Sequence, residues 1–192
     1  MGGAVNSRSI LVVCSRKYLT SPFHRGYSKD VASQLAKSED VAKLPDTATT
    51  KPPSEFRMIS WNIDGLDDRN LKMRTKSVVK IIQTHNPDVV FLQVNSRYFT
   101  VTMLNMFTIH YDSHEIIDFL ATTMGRNLLK VEAHMGPLKL KLLNTHMGST
   151  GEHADERMNQ LDISFHELSR TDKSVNVIMG GDLYGTFFMA RF

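Results

Sequence analysis

Cysteine is almost absent from this 192-residue chain, and long apolar runs are missing altogether. Cys14 is the single cysteine, which excludes an internal disulfide and a zinc site built from cysteines. No uninterrupted apolar run approaches the roughly 20 residues that a membrane-spanning helix requires, so we expect a protein without membrane contact. Apolar residues make up 41% and charged residues 22% of the chain, which is typical of one globular domain.

Acidic residues are missing from the first 29 positions. Asp30 is the first acid, and five Lys or Arg residues and several serines precede it. This composition is typical of an organelle transit peptide, but a basic disordered tail has the same features, and both interpretations stay open. We therefore assign residues 1–29 as a basic leader. Residues 30–54 are polar and contain three prolines, which predicts a disordered linker.

Helices and strands alternate in residues 55–192, which predicts a single domain of the α/β class. Apolar residues at helical spacing predict a helix over 68–85, which Asn86-Pro87 should end. A second amphipathic helix is predicted over 153–169, and we expect residues 156–160 within it to serve packing and salt bridges. Its buried face should be formed by Met158, Leu161, Phe165 and Leu168. Strands are predicted at residues 56–61, 88–92, 128–131, 138–143 and 174–179, with a turn at Gly136-Pro137.

Polar side chains follow three of these strands at the point where each strand ends. Asn62 follows the first strand, Gln93 follows residues 88–92, and Asp182 follows two glycines after the last strand. Groups on rigid strand ends can orient a water molecule or donate to a phosphate oxygen. We interpret Asn62 as such a donor and Asp182 as a carboxylate that positions an attacking water. The structural alternative for each is a side chain that stabilises a turn beside glycine.

Six short motifs resemble the endonuclease/exonuclease/phosphatase superfamily and, within it, the 5'-tyrosyl-DNA phosphodiesterase family. They are SWNIDGL at 60–66, NPDVVFLQ at 86–93, MGRNLL at 124–129, HMGST at 146–150, ERMNQL at 156–161, and Gly181-Asp182. The third and fifth motifs favour this family over related deadenylases, sphingomyelinases and abasic endonucleases. The resemblance implies a four-layered α/β sandwich, which we expect to be incomplete because the family version has more strands than this chain supplies.

The resemblance also implies a catalytic set. Asn62, His146 and Asp182 match catalytic positions of the family, with His146 beside the phosphate. Asp182 is also implied as a ligand of Mg²⁺, with Mn²⁺ as an alternative ion. The reaction would be hydrolysis of the bond between tyrosine and the 5' phosphate of DNA, in the repair of topoisomerase II damage.

Three further residues match positions that bind substrate in the family. Tyr98 and Arg126 correspond to a pair that holds the phosphotyrosyl end through a cation-π stack. Ser149 would contact a DNA phosphate. The implied partner is therefore a DNA 5' end bearing a phosphotyrosyl adduct, and we expect the protein to be a monomer. The family role points to the nucleus, whereas the leader points to the mitochondrion.

The chain departs from the family pattern at several positions. Gln93 runs into Val94 where the family has a metal-binding glutamate, Gly148 replaces a glutamate, and Tyr184 replaces an asparagine. The family's closing Asp-His pair would lie beyond Phe192. Loss of one donor to the transition state costs about 2.7 to 4 kcal/mol, so we predict little or no phosphodiesterase activity for this chain. The alternative is a non-catalytic remnant or splice form that binds DNA ends or a protein partner.

Overall fold

Two β-sheets lie face to face in the computed structural model, and one α-helix covers the outer face of each. The structure describes residues 10–14, 54–63, 69–94, 99–105, 108–120, 122–184 and 189–191. The layers are helix, sheet, sheet and helix, which confirms the four-layered α/β sandwich that the motifs implied.

The first sheet has four strands in the order β1, β4, β3, β2. They span Ile10–Cys14 (β1), Met58–Asn62 (β2), Val89–Val94 (β3) and Phe99–Asn105 (β4). β2 and β3 are parallel, whereas β4 is antiparallel to both β3 and β1. β1 falls inside the predicted leader, where we predicted no strand. The functions assigned to the leader and the linker stay predictions.

The second sheet has five strands in the order β5, β6, β7, β8, β9. They span His110–Asp118 (β5), Asn127–Met135 (β6), Leu138–His146 (β7), Val175–Asp182 (β8) and Met189–Arg191 (β9). β7 and β8 are parallel, and the other neighbours are antiparallel. The turn at Gly136-Pro137 is confirmed. β8 continues past its predicted end at Met179, and β9 was not predicted.

Both predicted helices are present. α1 spans Leu71–His85, and α2 spans Ala154–Ser169 after a short 3-10 turn at Gly151–His153. Asn86 adopts a left-handed conformation with φ of 46°, and its N–H donates to the carbonyl of Ile82, which ends α1 just before Pro87. Neither helix in the described ranges is long and apolar enough to cross a membrane.

The core follows the alternation of side chains along the strands. Val89 and Phe91 of β3 are fully buried against the second sheet, whereas Val90 and Leu92 of the same strand face α1. A third cluster, which includes Leu143, packs under α2. The strands that carry the candidate residues are therefore held between two packed layers.

A buried polar link joins the two sheets across the layer between them. The side-chain amide of Gln93 donates from Nε2 to Oδ1 of Asn144 at 2.9 Å, and Asn144 Nδ2 donates to the carbonyl of Val101 at 2.8 Å. Gln93 and Asn144 are 1% and 0% exposed, so each amide depends on these partners. The link fixes the two sheets to each other beside the ends of β2 and β8.

The buried face of α2 differs from the prediction. Met158 and Phe165 are 59% and 43% exposed, whereas Gln160 is 1% exposed. Leu161 packs on the second sheet as predicted. The prediction was wrong at Met158 and Phe165 because it placed only apolar residues inward. The Oε1 of Gln160 accepts the backbone N–H of Gly148 at 2.9 Å, whereas its Nε2 has no hydrogen-bond partner among the described residues.

Candidate functional site

Asn62 and Asp182 meet at one edge of the sandwich. Asn62 is the last residue of β2 in the first sheet, and Asp182 is the last residue of β8 in the second sheet. Nδ2 of Asn62 donates to Oδ2 of Asp182 at 2.5 Å, although the two residues are 120 positions apart in the chain. A hydrogen bond to a charged carboxylate is strong, so it fixes the orientation of both side chains.

Local sequence explains why Asp182 is accessible. β8 is buried from Val177 through Gly180 and becomes partly exposed at Gly181 and Asp182. Gly181 has φ of 133°, and a Cβ at this position would lie 1.9 Å from the carbonyl oxygen of Thr145. Only glycine therefore permits the close approach of β7 and β8 at this point. The carboxylate of Asp182 retains 28% exposure, which leaves it open to a ligand.

His146 lies opposite Asp182 in the parallel pair of β7 and β8. Its Nε2 is 3.5 Å from Oδ2 of Asp182, and its side chain is 3% exposed. The pKa of His146 is lowered to about 4, mainly by burial and then by the positive charge of Arg126, whereas the charge of Asp182 opposes both. The imidazole is therefore neutral at pH 7, and its contact with Asp182 is not an ion pair.

Neither ring nitrogen of His146 has a hydrogen-bond partner within the described part of the chain. A neutral imidazole carries one donor and one acceptor nitrogen, and a buried polar atom without a partner carries an energetic cost. An anionic ligand with oxygen acceptors would satisfy the N–H. His146 is thus arranged to donate to a ligand rather than to a neighbouring side chain.

Arg126 provides positive charge at the same edge. It is 5% exposed and lies just before β6, and its Nη2 donates to Oγ of Ser149 at 3.3 Å. Burial lowers the pKa of Arg126, an effect that the charge of Asp182 opposes, and the guanidinium stays protonated. Its Nε has no hydrogen-bond partner among the described residues. A buried cation with an unused donor suits an anion such as phosphate.

The loop after β7 is held by α2. Nη1 of Arg157 donates to the carbonyls of Gly148 at 2.9 Å and Thr150 at 2.5 Å, and Gln160 accepts the N–H of Gly148. A Cβ on Gly148 would lie 3.1 Å from Cβ of His153, so the loop packs tightly against the start of the helix. These contacts from α2 hold the loop that carries Ser149, and we did not predict them from the sequence.

Glu156 of α2 holds the loop before β6. Its two carboxylate oxygens accept the backbone N–H of Thr123 at 3.2 Å and the hydroxyl of Thr123 at 3.0 Å. His153 Nδ1 lies 3.1 Å from the same carboxylate. Hydrogen bonds from Thr123 and His153 lower the pKa of Glu156 although burial opposes them. Glu156, Arg157 and Gln160 therefore hold two loops of the site, in addition to the packing and salt bridges that we predicted for residues 156–160.

Comparison with known proteins agrees with this geometry. Human tyrosyl-DNA phosphodiesterase 2 is 33% identical over 177 residues, which cover 80% of this chain and 49% of the human protein. The Caenorhabditis elegans 5'-tyrosyl-DNA phosphodiesterase is 33% identical over 156 residues, covering 67% of this chain and 42% of the relative. The crystal structure of D. rerio tyrosyl-DNA phosphodiesterase 2 complexed with a single-strand DNA product superposes with a TM-score of 0.66 at 29% identity.

The chain is a tyrosyl-DNA phosphodiesterase 2-type member of the endonuclease/exonuclease/phosphatase superfamily. The superposition on the D. rerio enzyme covers 70% of this chain and 63% of that one. The chain spans about half the length of the curated relatives that it matches. A comparison with models of protein families gave no match.

The structure brings five of the six residues implied by the tyrosyl-DNA phosphodiesterase resemblance to one edge: Asn62, His146, Asp182, Arg126 and Ser149. Tyr98 lies outside the described residues, so its pairing with Arg126 stays a prediction. Asp88, which lies just before β3 at the opposite end of that strand, accepts the N–H of Arg57 and the hydroxyl of Thr108.

The residues at this edge fit a divalent metal only in part. The superfamily generally depends on such an ion. Asp182 is a carboxylate at the centre of the cluster, and Mg²⁺ is commonly held by one or two carboxylates together with substrate phosphates and water. In the described ranges, however, no three His, Cys, Asp or Glu side chains are grouped as a set of metal ligands. An ion at Asp182 would therefore take most of its ligands from substrate and water.

Proposed function

We propose that this chain binds DNA 5' ends that carry a phosphotyrosyl adduct and hydrolyses the tyrosine-to-phosphate bond slowly at Asn62, His146 and Asp182. The convergence of an amide, a neutral imidazole and a carboxylate from two sheets, beside the buried Arg126, carries this proposal. The names of the curated relatives and the single-strand DNA product bound to the D. rerio enzyme support the substrate class.

The binding step uses the positive and donor groups of the edge. Arg126 attracts the phosphate, and Ser149 adds a hydroxyl at 3.3 Å from the guanidinium. The neutral His146 donates one N–H to a phosphate oxygen. Asn62 is held in one orientation by Asp182, so its amide is fixed before the substrate arrives and little reorganisation is needed.

The chemical step is slow because the imidazole in the described site accepts a proton poorly. His146 has a pKa of about 4 and is a poor base at pH 7. Asp182 can orient the attacking water. The weak basicity of His146 supports the proposed low activity.

We also propose Mg²⁺ as the ion used at this site, with Mn²⁺ as an alternative. Asp182 would hold it, together with phosphate oxygens and water. A bound ion would neutralise part of the negative charge of the phosphate. Arg126, His146 and Asn62 act on the phosphate in their own right through charge and hydrogen bonds.

A second candidate function is the binding of DNA ends without hydrolysis. One oxygen of Asp182 accepts Asn62 Nδ2, and the other accepts the backbone N–H of Tyr184 at 3.0 Å. Because the protein already engages both oxygens, Asp182 is less available to a metal ion or to water. The phosphate-binding groups Arg126 and Ser149 are unaffected by this arrangement.

Release of tyrosine from a 5'-phosphotyrosyl oligonucleotide by the purified chain with Mg²⁺ tests the proposal. We expect slow, metal-dependent release that is lost in Asp182→Asn and retained in Asp162→Asn, which makes the same chemical change at an exposed position on α2. Release that persists in Asp182→Asn would contradict the assigned site. Absence of release with retained oligonucleotide binding would favour the second candidate.

The substrate class suggests a nuclear protein, and the acid-free leader suggests a mitochondrial one. We propose the nucleus, because topoisomerase II adducts on chromosomal DNA are the substrate implied by the family resemblance. Microscopy of a carboxyl-terminal fluorescent fusion tests the proposal, and a mitochondrial signal that is lost when residues 1–29 are removed would contradict it.

A further inference from the structure

Tyr184 presents an exposed ring beside the candidate phosphate site. It follows Asp182 by two residues, and its backbone N–H donates to Oδ1 of Asp182 at 3.0 Å. The residue has φ of 55°, in the left-handed region that tyrosine rarely adopts, and this hydrogen bond stabilises the conformation. The side chain is 55% exposed. The backbone of Tyr184 is thus fixed beside Asp182, while more than half of the residue stays exposed.

Arg157 supports one face of this ring. The guanidinium carbon lies 4.7 Å from the ring centroid of Tyr184, a cation-π contact. Arg157 is itself fixed by the carbonyls of Gly148 and Thr150. The contact therefore joins the loop after β7 to the loop after β8. Beside this contact the residue stays 55% exposed, which leaves ring surface for a flat ligand.

This arrangement distinguishes Tyr184 from the other exposed apolar side chains. Leu120, Met158 and Phe165 are also exposed, but isolated apolar residues on a surface are common. Tyr184 instead combines an aromatic ring, a supporting cation and a hydrogen bond to the central carboxylate. Aromatic rings beside positive charge are the usual means of holding bases of single-stranded nucleic acid without sequence preference.

We propose that Tyr184, supported by Arg157, is a stacking site for the nucleobase of the 5'-terminal nucleotide whose phosphate lies at Asn62, His146 and Asp182. The inference rests on the proposed function, because it assumes that a DNA 5' phosphate occupies that edge. It adds a residue that determines which ends bind: an end with an intact first base is favoured over an abasic end. Stacking is tolerant of base identity, so all four bases are accepted.

Binding of 3'-fluorescein-labelled single-stranded oligonucleotides with a 5' phosphate tests the proposal by fluorescence anisotropy. One oligonucleotide has a base on its first nucleotide, and its match has an abasic tetrahydrofuran there. We expect the purified full chain to bind the first more tightly by about fivefold to a hundredfold. Tyr184→Leu should remove this difference, whereas Tyr184→Phe and Tyr184→Trp should retain it.

Two controls separate stacking from a general loss of structure. Phe165→Leu changes an exposed aromatic residue on α2 and should leave the preference intact. Retention of the preference in Tyr184→Trp shows that the ring, rather than one particular fold of the loop, is required. Loss of the preference in Tyr184→Phe and Tyr184→Trp as well as in Tyr184→Leu would contradict a stacking role.

The remaining outcomes distinguish this inference from the proposed function. If the unaltered chain binds both oligonucleotides equally, or if Tyr184→Leu keeps the preference, the stacking site is refuted while DNA binding stands. If the chain binds neither oligonucleotide at any accessible concentration, the proposed function fails and the stacking site fails with it.

Discussion

Acid should destabilise this protein through His146. The side chain is 3% exposed, and its pKa is about 4 rather than the ordinary 6.5, because burial and the charge of Arg126 disfavour the imidazolium. In the unfolded chain His146 regains its ordinary pKa. Between about pH 4 and about pH 6.5 the unfolded chain therefore binds more protons at this histidine than the folded protein does. Its contribution to stability is therefore fully present above about pH 6.5 and is lost progressively as the pH falls to about 4.

The size of the effect follows from the two pKa values. The whole difference corresponds to about 3 kcal/mol, and about 1.4 kcal/mol of it is lost by about pH 5.5. Most surface carboxylates are still ionised at about pH 5.5. This moderate pH therefore isolates the histidine better than a strongly acidic solution.

Urea unfolding with EDTA at about pH 7.5 and about pH 5.5 measures the effect. The variant His146→Gln keeps a polar side chain but removes the titrating group. Between the two pH values the unaltered protein should lose about 1.4 kcal/mol more than this variant. His166→Gln, an exposed position on α2, serves as the matched control and should follow the unaltered protein. Equal losses in the unaltered protein and His146→Gln would refute a buried neutral histidine.

Two predictions test the packing that positions the site. Gly181→Ala should destabilise the protein by more than about 3 kcal/mol, since its Cβ would lie 1.9 Å from the Thr145 carbonyl oxygen, whereas Gly151→Ala has open space and should change stability by less than about 0.5 kcal/mol in thermal melts. Similar melting temperatures for the two variants would contradict the close approach of β7 and β8. Asn144→Ala should cost about 3 kcal/mol in urea unfolding because it removes the acceptor of the buried Gln93 Nε2 and the side-chain hydrogen bond to the carbonyl of Val101. A loss below about 1 kcal/mol would show that the link between the sheets is dispensable.

The helices and most strands could be predicted from local sequence. The apolar period and Asn86-Pro87 gave the end of α1, and Gly136-Pro137 gave the turn between β6 and β7. These signals act over a few residues, within the range that periodicity and turn chemistry describe. The candidate residues were found in the same way, because Asn62 and Asp182 end buried strands.

The contacts that assemble the site could not be predicted locally. Asn62 and Asp182 meet across two sheets, and Gln93 and Asn144 are joined over 51 positions. Such contacts depend on how the sheets pack, and no periodic pattern encodes that. Glu156 and Gln160 lie in the ERMNQL motif, which we placed on α2. The presence of the polar Gln160 in this motif was the signal that could have revealed its hydrogen bond to the loop after β7.

Arg157 and Tyr184 illustrate the same limit. Arg157 was expected to serve the helix surface, yet it fixes two carbonyls and supports the ring of Tyr184. Tyr184 was read from sequence as the loss of an amide donor. In the structure the backbone N–H of Tyr184 donates to Asp182, a contact that the replacement of asparagine by tyrosine does not by itself predict.

The central claim is that Arg126, His146, Asn62 and Asp182 form a site for a DNA 5' phosphate. The most direct measurement compares the affinities of the purified chain for one single-stranded oligonucleotide with a 5' phosphate and with a 5' hydroxyl. We predict tighter binding of the phosphorylated end by about tenfold or more, and loss of this preference in Arg126→Met. Equal affinity for the two ends in the unaltered chain would contradict the account.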